Sequence, residues 1–266
     1  MPATNGAAPA EVERTTVLHE RYDELMALRV EGRRKYGGTR WYHIYGPPVK
    51  FRFPQATLGK RPERRHIAVG PISVAEISAV EPAAAAAIEG WDRPGSVLEI
   101  GPGRGELAEI LRARFPAKIE RYYGLERDPC VRGPYARVDG PASIDGTIDL
   151  VVASEVIEHM KADDFASLLA SLRHTLSPRS ALVASLPNAL SPGGIAGDFT
   201  HVQGWPWYDL YAVLRLTFRN VAVYRTYHVC GASRIALLPI RMLLSRALEL
   251  DWCEALLFVA DGPLAA

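Results

Sequence analysis

The stretch Ser96–Ile100 (SVLEI) runs straight into GPGRGE, and Leu107–Phe115 then repeats apolar residues at helical spacing. A short apolar run, glycines at alternate positions and a helix together constrain the fold strongly. The chain must leave a buried strand, reverse sharply, and enter a helix whose unpaired N–H groups face the turn. The same rhythm continues downstream. Strands are predicted at Tyr122–Leu125, Ala136–Val138, Ile148–Ala153, Ala181–Leu186, Val221–Val229 and Ala255–Ala260, and helices over Asp163–Thr175 and Trp207–Leu216. Such alternation gives an α/β fold, a Rossmann-like and mostly parallel sheet covered on both faces. Ligands of these sheets bind outside the carboxyl ends of the strands.

At 266 residues and 48% apolar content, the chain suits one medium α/β domain with an extension. The three cysteines, Cys130, Cys230 and Cys253, are scattered and lack CxxC spacing, which argues against a disulfide framework or a zinc site. The start MPATNGAAPAEVER has no basic region followed by an apolar run, and the apolar stretch 235–250 is interrupted by Pro239, Arg241 and Arg246. A soluble, cytoplasmic protein without a membrane span is therefore expected. Residues 1–70 carry 13 Lys/Arg against 7 Asp/Glu, whereas 71–266 carry 18 against 23. Such a basic extension can contact nucleic acid or an anionic substrate, or pack on the acidic body. The expected organisation is a disordered tail at 1–10 and a basic, aromatic-rich extension at 11–80 that forms a lid or cap. A domain at 81–266 follows, with a helical insert at 230–253. Within the extension, apolar residues from Val17 to Val30 recur at three- and four-residue steps, predicting an amphipathic helix between Val12 and Lys35. The Ala83–Ala87 run reads as low complexity.

Gly101, Gly103 and Gly105 form a GxGxG turn, and Glu126 lies 21 residues past Gly105 at the end of the next strand. A carboxylate there can take both hydroxyls of a ribose. Nicotinamide and flavin sites share this logic, so these residues alone leave the cofactor open. The wider string VLEIGPGRGELAEIL, GLERD, IDLVVASEVIEHM and ALVASLPN closely resembles the class I S-adenosylmethionine-dependent methyltransferases over roughly residues 90–260. The resemblance implies a seven-stranded sheet whose last strand is antiparallel and inserted beside the sixth. It implies S-adenosyl-L-methionine as cofactor, the Glu99–Gly105 loop against its methionine part and Glu126 on its ribose. It also implies Asp139 near the adenine and Ser154 within the same set. Asp139 equally fits a turn residue before Gly140. Glu126 and Asp139 are only 13 residues apart, too close for a full crossover helix and a strand, so that helix must be short or absent. The basic N-terminal segment is a candidate cover for the gap.

Glu155, Glu158 and His159 stand at i, i+3 and i+4, on one side of a helix if they form one, and His201 follows in HVQGWPW. In one reading His159 or His201 is a general base, with Glu155 beside it. In another, Glu155, Glu158, His159 and His201 hold a divalent ion such as Mg. In a third, the carboxylates favour a helix start and the histidine only packs. The ExxEH…H set is similar to that of small-RNA 2′-O-methyltransferases, which hold a metal there; an EH pair also occurs in small-molecule O-methyltransferases. The sequence Ala153-Ser154-Glu155-Val156 is not the (Asp/Asn)-Pro-Pro-(Tyr/Phe) string of enzymes that methylate amino groups of DNA bases. Tyr36, Arg40, Trp41, Tyr42 and Trp205 are candidates to line the acceptor, with His43 and Tyr45 nearby. Ile235, Leu237, Leu238, Met242 and Leu243 would line a pocket or join a homodimer. The expected function is methylation of a small molecule, at oxygen. The alternatives are a metal-dependent RNA 2′-O-methyltransferase and a non-catalytic cofactor-binding or interaction protein.

Overall fold

The computed structural model describes residues 16–36, 74–191, 200–226 and 255–265, together with positions 237, 240, 243 and 253. The expectations for the 1–10 tail, for Arg40, Trp41, Tyr42, His43 and Tyr45, for the side chain of Tyr36 and for most of the 230–253 insert lie outside these residues. The described strands are β1 (Gly95–Ile100), β2 (Ile119–Leu125), β3 (Ala136–Arg137), β4 (Ile148–Ser154), β5 (Leu176–Pro187), β6 (Phe218–Thr226) and β7 (Ala255–Pro263). They form a single sheet in the order β3-β2-β1-β4-β5-β7-β6. The pairs β1–β2, β2–β3, β1–β4 and β4–β5 are parallel, and β7 runs antiparallel between β5 and β6. This is the expected sheet, with its last strand inserted beside the sixth.

The register levels the carboxyl ends. Ile100 stands abreast of Leu125 on one side and Ala153 on the other, and Ser154 is abreast of Ser185. The residues that follow β1, β2, β4 and β5 therefore emerge along one edge. At the opposite edge the buried Asp149 carboxylate accepts the N–H of Ser96, the hydroxyl of Ser177 and Nε of Arg179, at 2.7–2.9 Å. This clamp joins the starts of β1, β4 and β5. Burial works to raise the Asp149 pKa, but these donors overcome it and hold the carboxyl below its ordinary value.

One face of the sheet is covered by α5 (Ala162–Leu172) and α6 (Trp207–Arg215), whose Phe165, Ala166, Leu169, Leu210, Tyr211 and Leu214 join its core. The other face is covered by α4 (Glu106–Arg114) and α3 (Val74–Glu89). α3 is a helix the sequence pattern hides. Pro82 sits in its interior and an alanine run fills its second half. The stripe Val80, Ala84, Ile88 is nevertheless fully buried, and the small residues Ala83, Ala84 and Ala85 let the helix lie close on the sheet. Residue 80, where the extension is expected to end, lies within α3.

β2 and β3 are joined without a helix, as their separation requires. The N-terminal helices α1 (Val17–Glu20) and α2 (Tyr22–Tyr36) do not cover that connection. They pack at α5 and α6 instead. Arg29 pairs with Asp209, Arg29 and Arg33 lie over the ring of Tyr208, and Tyr211 donates to Glu31 Oε1 at 2.7 Å. In this part the basic extension does pack on the body. No described helix is long and apolar enough to cross a membrane.

Gly32 permits this docking, since a Cβ there would lie 2.5 Å from Cδ1 of the buried Tyr211. Gly32→Ala gains about 1 kcal/mol of helix propensity, but overpacking costs about 1–3 kcal/mol. The net expected outcome is destabilisation, read as a melting temperature lowered by a few degrees; an unchanged or higher value would show that α2 shifts freely.

Glu99 lies buried in β1, with Tyr122 of β2 donating to its Oε2 at 2.6 Å. Burial raises its pKa to about 7, against the opposing hydrogen bond and with help from Glu106. Between pH 4.5 and 7 the unfolded chain ionises here while the folded chain stays protonated. The unfolded state then binds fewer protons, and stability must fall as pH rises through this window, by about 3 kcal/mol in all. Urea midpoints measured from pH 4.5 to 7.5 are expected to show this loss in the wild type and to show it removed in Glu99→Gln.

Candidate active site

β1 ends in a loop whose Gly101, Gly103 and Gly105 have φ of +64°, +53° and +86°. L side chains rarely adopt these angles, and at Gly101 a Cβ would also lie 2.5 Å from Cγ2 of Val156. Gly103 differs, because nothing stands within 4 Å of the Cβ position there. The backbone therefore presents an open cradle at the carboxyl edge, with α4 starting immediately behind it. A side chain would fill that cradle, so its shape fits close approach of a ligand to the main chain.

Glu126 follows β2 and turns back over this loop. Its Oε2 accepts the N–H of Gly103 at 3.0 Å and its Oε1 the N–H of Asp128 at 2.9 Å. A carboxylate has roughly four lone-pair sites, so both oxygens retain capacity for hydroxyl donors. Ser154 ends β4, with its Oγ 3.4 Å from that of Ser185. Asp139 stands apart, its side chain 93% exposed and 4.0 Å from Nε of Arg137. It precedes Gly140, which caps the short 3-10 turn Pro141–Ser143.

The segment after β4 is not the helix that i, i+3, i+4 spacing presumes. Glu155 has φ +50°, Ile157–His159 is a single 3-10 turn, and Lys161 is extended before α5 begins at Ala162. Helical face arithmetic does not apply to such a path. Glu158, His159 and His201 come together, with one ligand atom from each all within 4.8 Å of one another, and Glu155 lies outside this group.

The loop after β5 completes the group. The N–H groups of Val202 and Gln203 both donate to the carbonyl of Glu158 at 2.9 Å, pinning one loop to the other. Trp205, expected at the acceptor, is instead buried. Its ring meets Phe165 edge-on and its Nε1 donates to the carbonyl of Ile157 at 3.4 Å. It anchors the loop on which His201 stands. His201 Nε2 is 3.9 Å from Oε1 of the buried Glu158, and the two histidine rings are 5.0 Å apart at their centroids. Nδ1 of His201 is buried with no hydrogen-bond partner among the described residues.

His159 Nδ1 lies 3.1 Å from the carbonyl of Thr200 and 3.2 Å from its hydroxyl. In the tautomer that donates from Nδ1 to that carbonyl, Nε2 carries the lone pair. Thr200 bears no motif that betrays this role; its one signal is its place before His201. Tyr135, whose hydroxyl donates to the carbonyl of Gly103 at 2.8 Å, likewise has no sequence signal beyond lying in the short β2–β3 connection.

A family profile described as a methyltransferase domain matches residues 78–226, more than half of the chain. No curated protein matches significantly. In structure the chain is similar to a SAM-dependent methyltransferase from Archaeoglobus fulgidus, at 20% identity and TM-score 0.51, over 71% of this chain and 94% of that one. It is also similar to the N-methyltransferase NodS of Bradyrhizobium japonicum in complex with S-adenosyl-L-homocysteine, at 13% identity and TM-score 0.51, over 75% and 91%. A further match is the 1,6-didemethyltoxoflavin-N1-methyltransferase of Burkholderia thailandensis, at 16% identity and TM-score 0.48, over 100% and 94%. With the matched domain, the sheet order and the glycine loop in agreement, the chain belongs to the methyltransferase-domain family, with the class I, S-adenosylmethionine-dependent fold.

Proposed function

We propose that the chain transfers a methyl group from S-adenosylmethionine to a hydroxyl of a small-molecule acceptor. The observation that carries this reading is the Glu158–His159–His201 group, which stands just beyond β4 and β5 on the edge where the glycine loop opens. The cofactor, when bound, supplies an electrophilic methyl on a sulfonium that departs as a neutral thioether. The glycine loop and Glu126 are the groups suited to hold it.

The chain's remaining task is to align the acceptor and take its proton. His159 suits the second part. With Nδ1 turned to Thr200, Nε2 is the nitrogen that this reading assigns to accept a hydroxyl proton. Glu158, buried and 3.9 Å from His201, supports a positive charge developing on the imidazoles. Ser154 and Glu155 flank the approach from β4. Tyr36, Arg40, Trp41 and Tyr42 remain the proposed cap over the acceptor, and a small molecule is favoured over RNA because residues 71–266 carry 18 Lys/Arg against 23 Asp/Glu.

A second reading has a specific observation behind it. One carboxylate and two imidazoles with ligand atoms within 4.8 Å suit a divalent transition ion after a small contraction, and Thr200 would orient His159 as an outer partner. Such an ion would polarise the acceptor oxygen.

The tests begin with calorimetric titration of S-adenosylhomocysteine, expected to give about one site per chain. Release of that product is then followed over a panel of hydroxylated small molecules. For an acceptor found this way, His159→Gln is expected to lower kcat by about a hundredfold or more while product affinity stays within about twofold. Unchanged turnover removes His159 from the chemistry. Activity lost on chelation and restored by Mn or Zn selects the metal reading over the free base.

A further inference from the structure

The connection from β2 to β3 does two things that its lack of a helix does not explain. The Tyr135 ring fills the space beside β2, where a Cβ on Gly124 would lie 2.2 Å from its Cδ2 and one on Gly133 2.3 Å from its Cε1. Its neighbour Pro134 presses on the glycine loop, with Cδ 2.5 Å from the Cβ position of Gly105, and the Pro134 carbonyl is held by Arg112 of α4 at 2.7 Å. The hydroxyl of Tyr135 then reaches the carbonyl of Gly103. Because Glu126 takes the N–H of the same residue, Gly103 is gripped from both sides, by one group just after β2 and one just before β3. Arg137 closes the ring by donating to the backbone carbonyls of Glu126 and Asp128.

We propose that Tyr135 is a positioning residue for the cofactor: its hydroxyl, with the Glu126 carboxylate, locks the Gly103 backbone in the open cradle. The inference rests on the reading of the glycine loop as the S-adenosylmethionine site. Gly103 is the residue that needs such a lock. Its φ is +53°, nothing packs on its Cβ side, and glycine loses more backbone freedom on ordering than any other residue. A loop left to order only on binding would charge that entropy against affinity, whereas a pre-ordered loop does not. Partial burial and then the charge of Glu126 hold the phenol above its ordinary pKa, so it remains a donor throughout the neutral range. The same arrangement accounts for the short connection, since the aromatic wedge occupies the flank that a crossover helix would cover.

The experiment compares the full-length wild type with Tyr135→Phe, which keeps the ring and deletes the donor. S-adenosylhomocysteine affinity is measured by calorimetry, backbone exchange of residues 101–105 by hydrogen–deuterium exchange, and the kcat and KM split once an acceptor is known. Expected are a Kd and a cofactor KM raised roughly three- to tenfold, the range for one net hydrogen bond, with kcat unchanged. Exchange should accelerate in the glycine loop while β1 and β4 stay protected and the melting temperature holds. A merely structural tyrosine would lower the melting temperature and leave affinity alone, which would overturn the proposal. Affinity within twofold of wild type together with unaltered loop exchange would overturn it as well. Tyr135→Ala, which also removes the wedge, is expected to weaken binding further; if it does not fold, the phenylalanine variant alone decides. A wild type that binds no S-adenosylhomocysteine would bring down the cofactor reading itself, and this proposal with it.

Discussion

The site geometry depends on a carboxylate at the far end of the sheet. Asp149 accepts from a main-chain N–H of β1, and from a hydroxyl and a guanidinium of β5, while sitting in β4 itself. An ionised carboxylate in this position would be expensive without its partners, so the three strands are fixed to one another where they start. From that point each strand advances at about 3.3 Å per residue. An irregularity between Leu176 and Ala181 takes up the extra residues of β5, so the ends of β1, β4 and β5 arrive level, and a glycine turn, Ser154 and the two histidine loops face the same solvent edge. A slip of one residue in β4 would turn its buried side chains to the opposite face and move the Glu158 turn away from the glycine loop.

What the sequence reveals follows the same division. Buried strands such as β4, whose Leu150–Ala153 is wholly apolar, carry short apolar runs, so they and the turn after β1 are legible from the local pattern. The antiparallel β7 needs the family resemblance, because no local pattern records which strand it joins. α3 escapes the pattern since alanines read as filler and Pro82 reads as a breaker, yet its small residues are what admit it to the sheet. The histidine group is only half legible. Glu158, His159 and His201 do meet, but through a 3-10 turn and two main-chain bonds to the Glu158 carbonyl, neither of which side-chain spacing encodes. Glu155 satisfies the spacing and still lies outside the group, because its backbone adopts φ +50° at the strand end. Trp205 illustrates the converse, an aromatic residue near the site whose ring serves the core.

The N-terminal extension shows how charge asymmetry can mislead when read as a binding surface. Part of its basic excess is spent internally, with Arg29 on Asp209 and both Arg29 and Arg33 against the Tyr208 ring. These contacts lie at the start of α6, directly after the loop that holds His201 and Trp205. Docking of α2 and placement of the histidine loop therefore share one helix, and Gly32 of α2 lies against the Tyr211 ring of α6.

Two loops from different strands have to agree before the chemistry proposed here is possible, and the main chain supplies that agreement. The Glu158 carbonyl receives two N–H groups from the β5 loop, and Nδ1 of His159 lies against the Thr200 carbonyl in return. The exchange runs in both directions across one short turn. Each loop thus fixes the other: the first pair of bonds sets where His201 stands, and the Thr200 contact holds the His159 ring at Nδ1. Side-chain packing alone would leave that imidazole free to flip. A ring held at Nδ1 leaves Nε2 to serve as a base or as a ligand, which is why one arrangement supports both readings of the site.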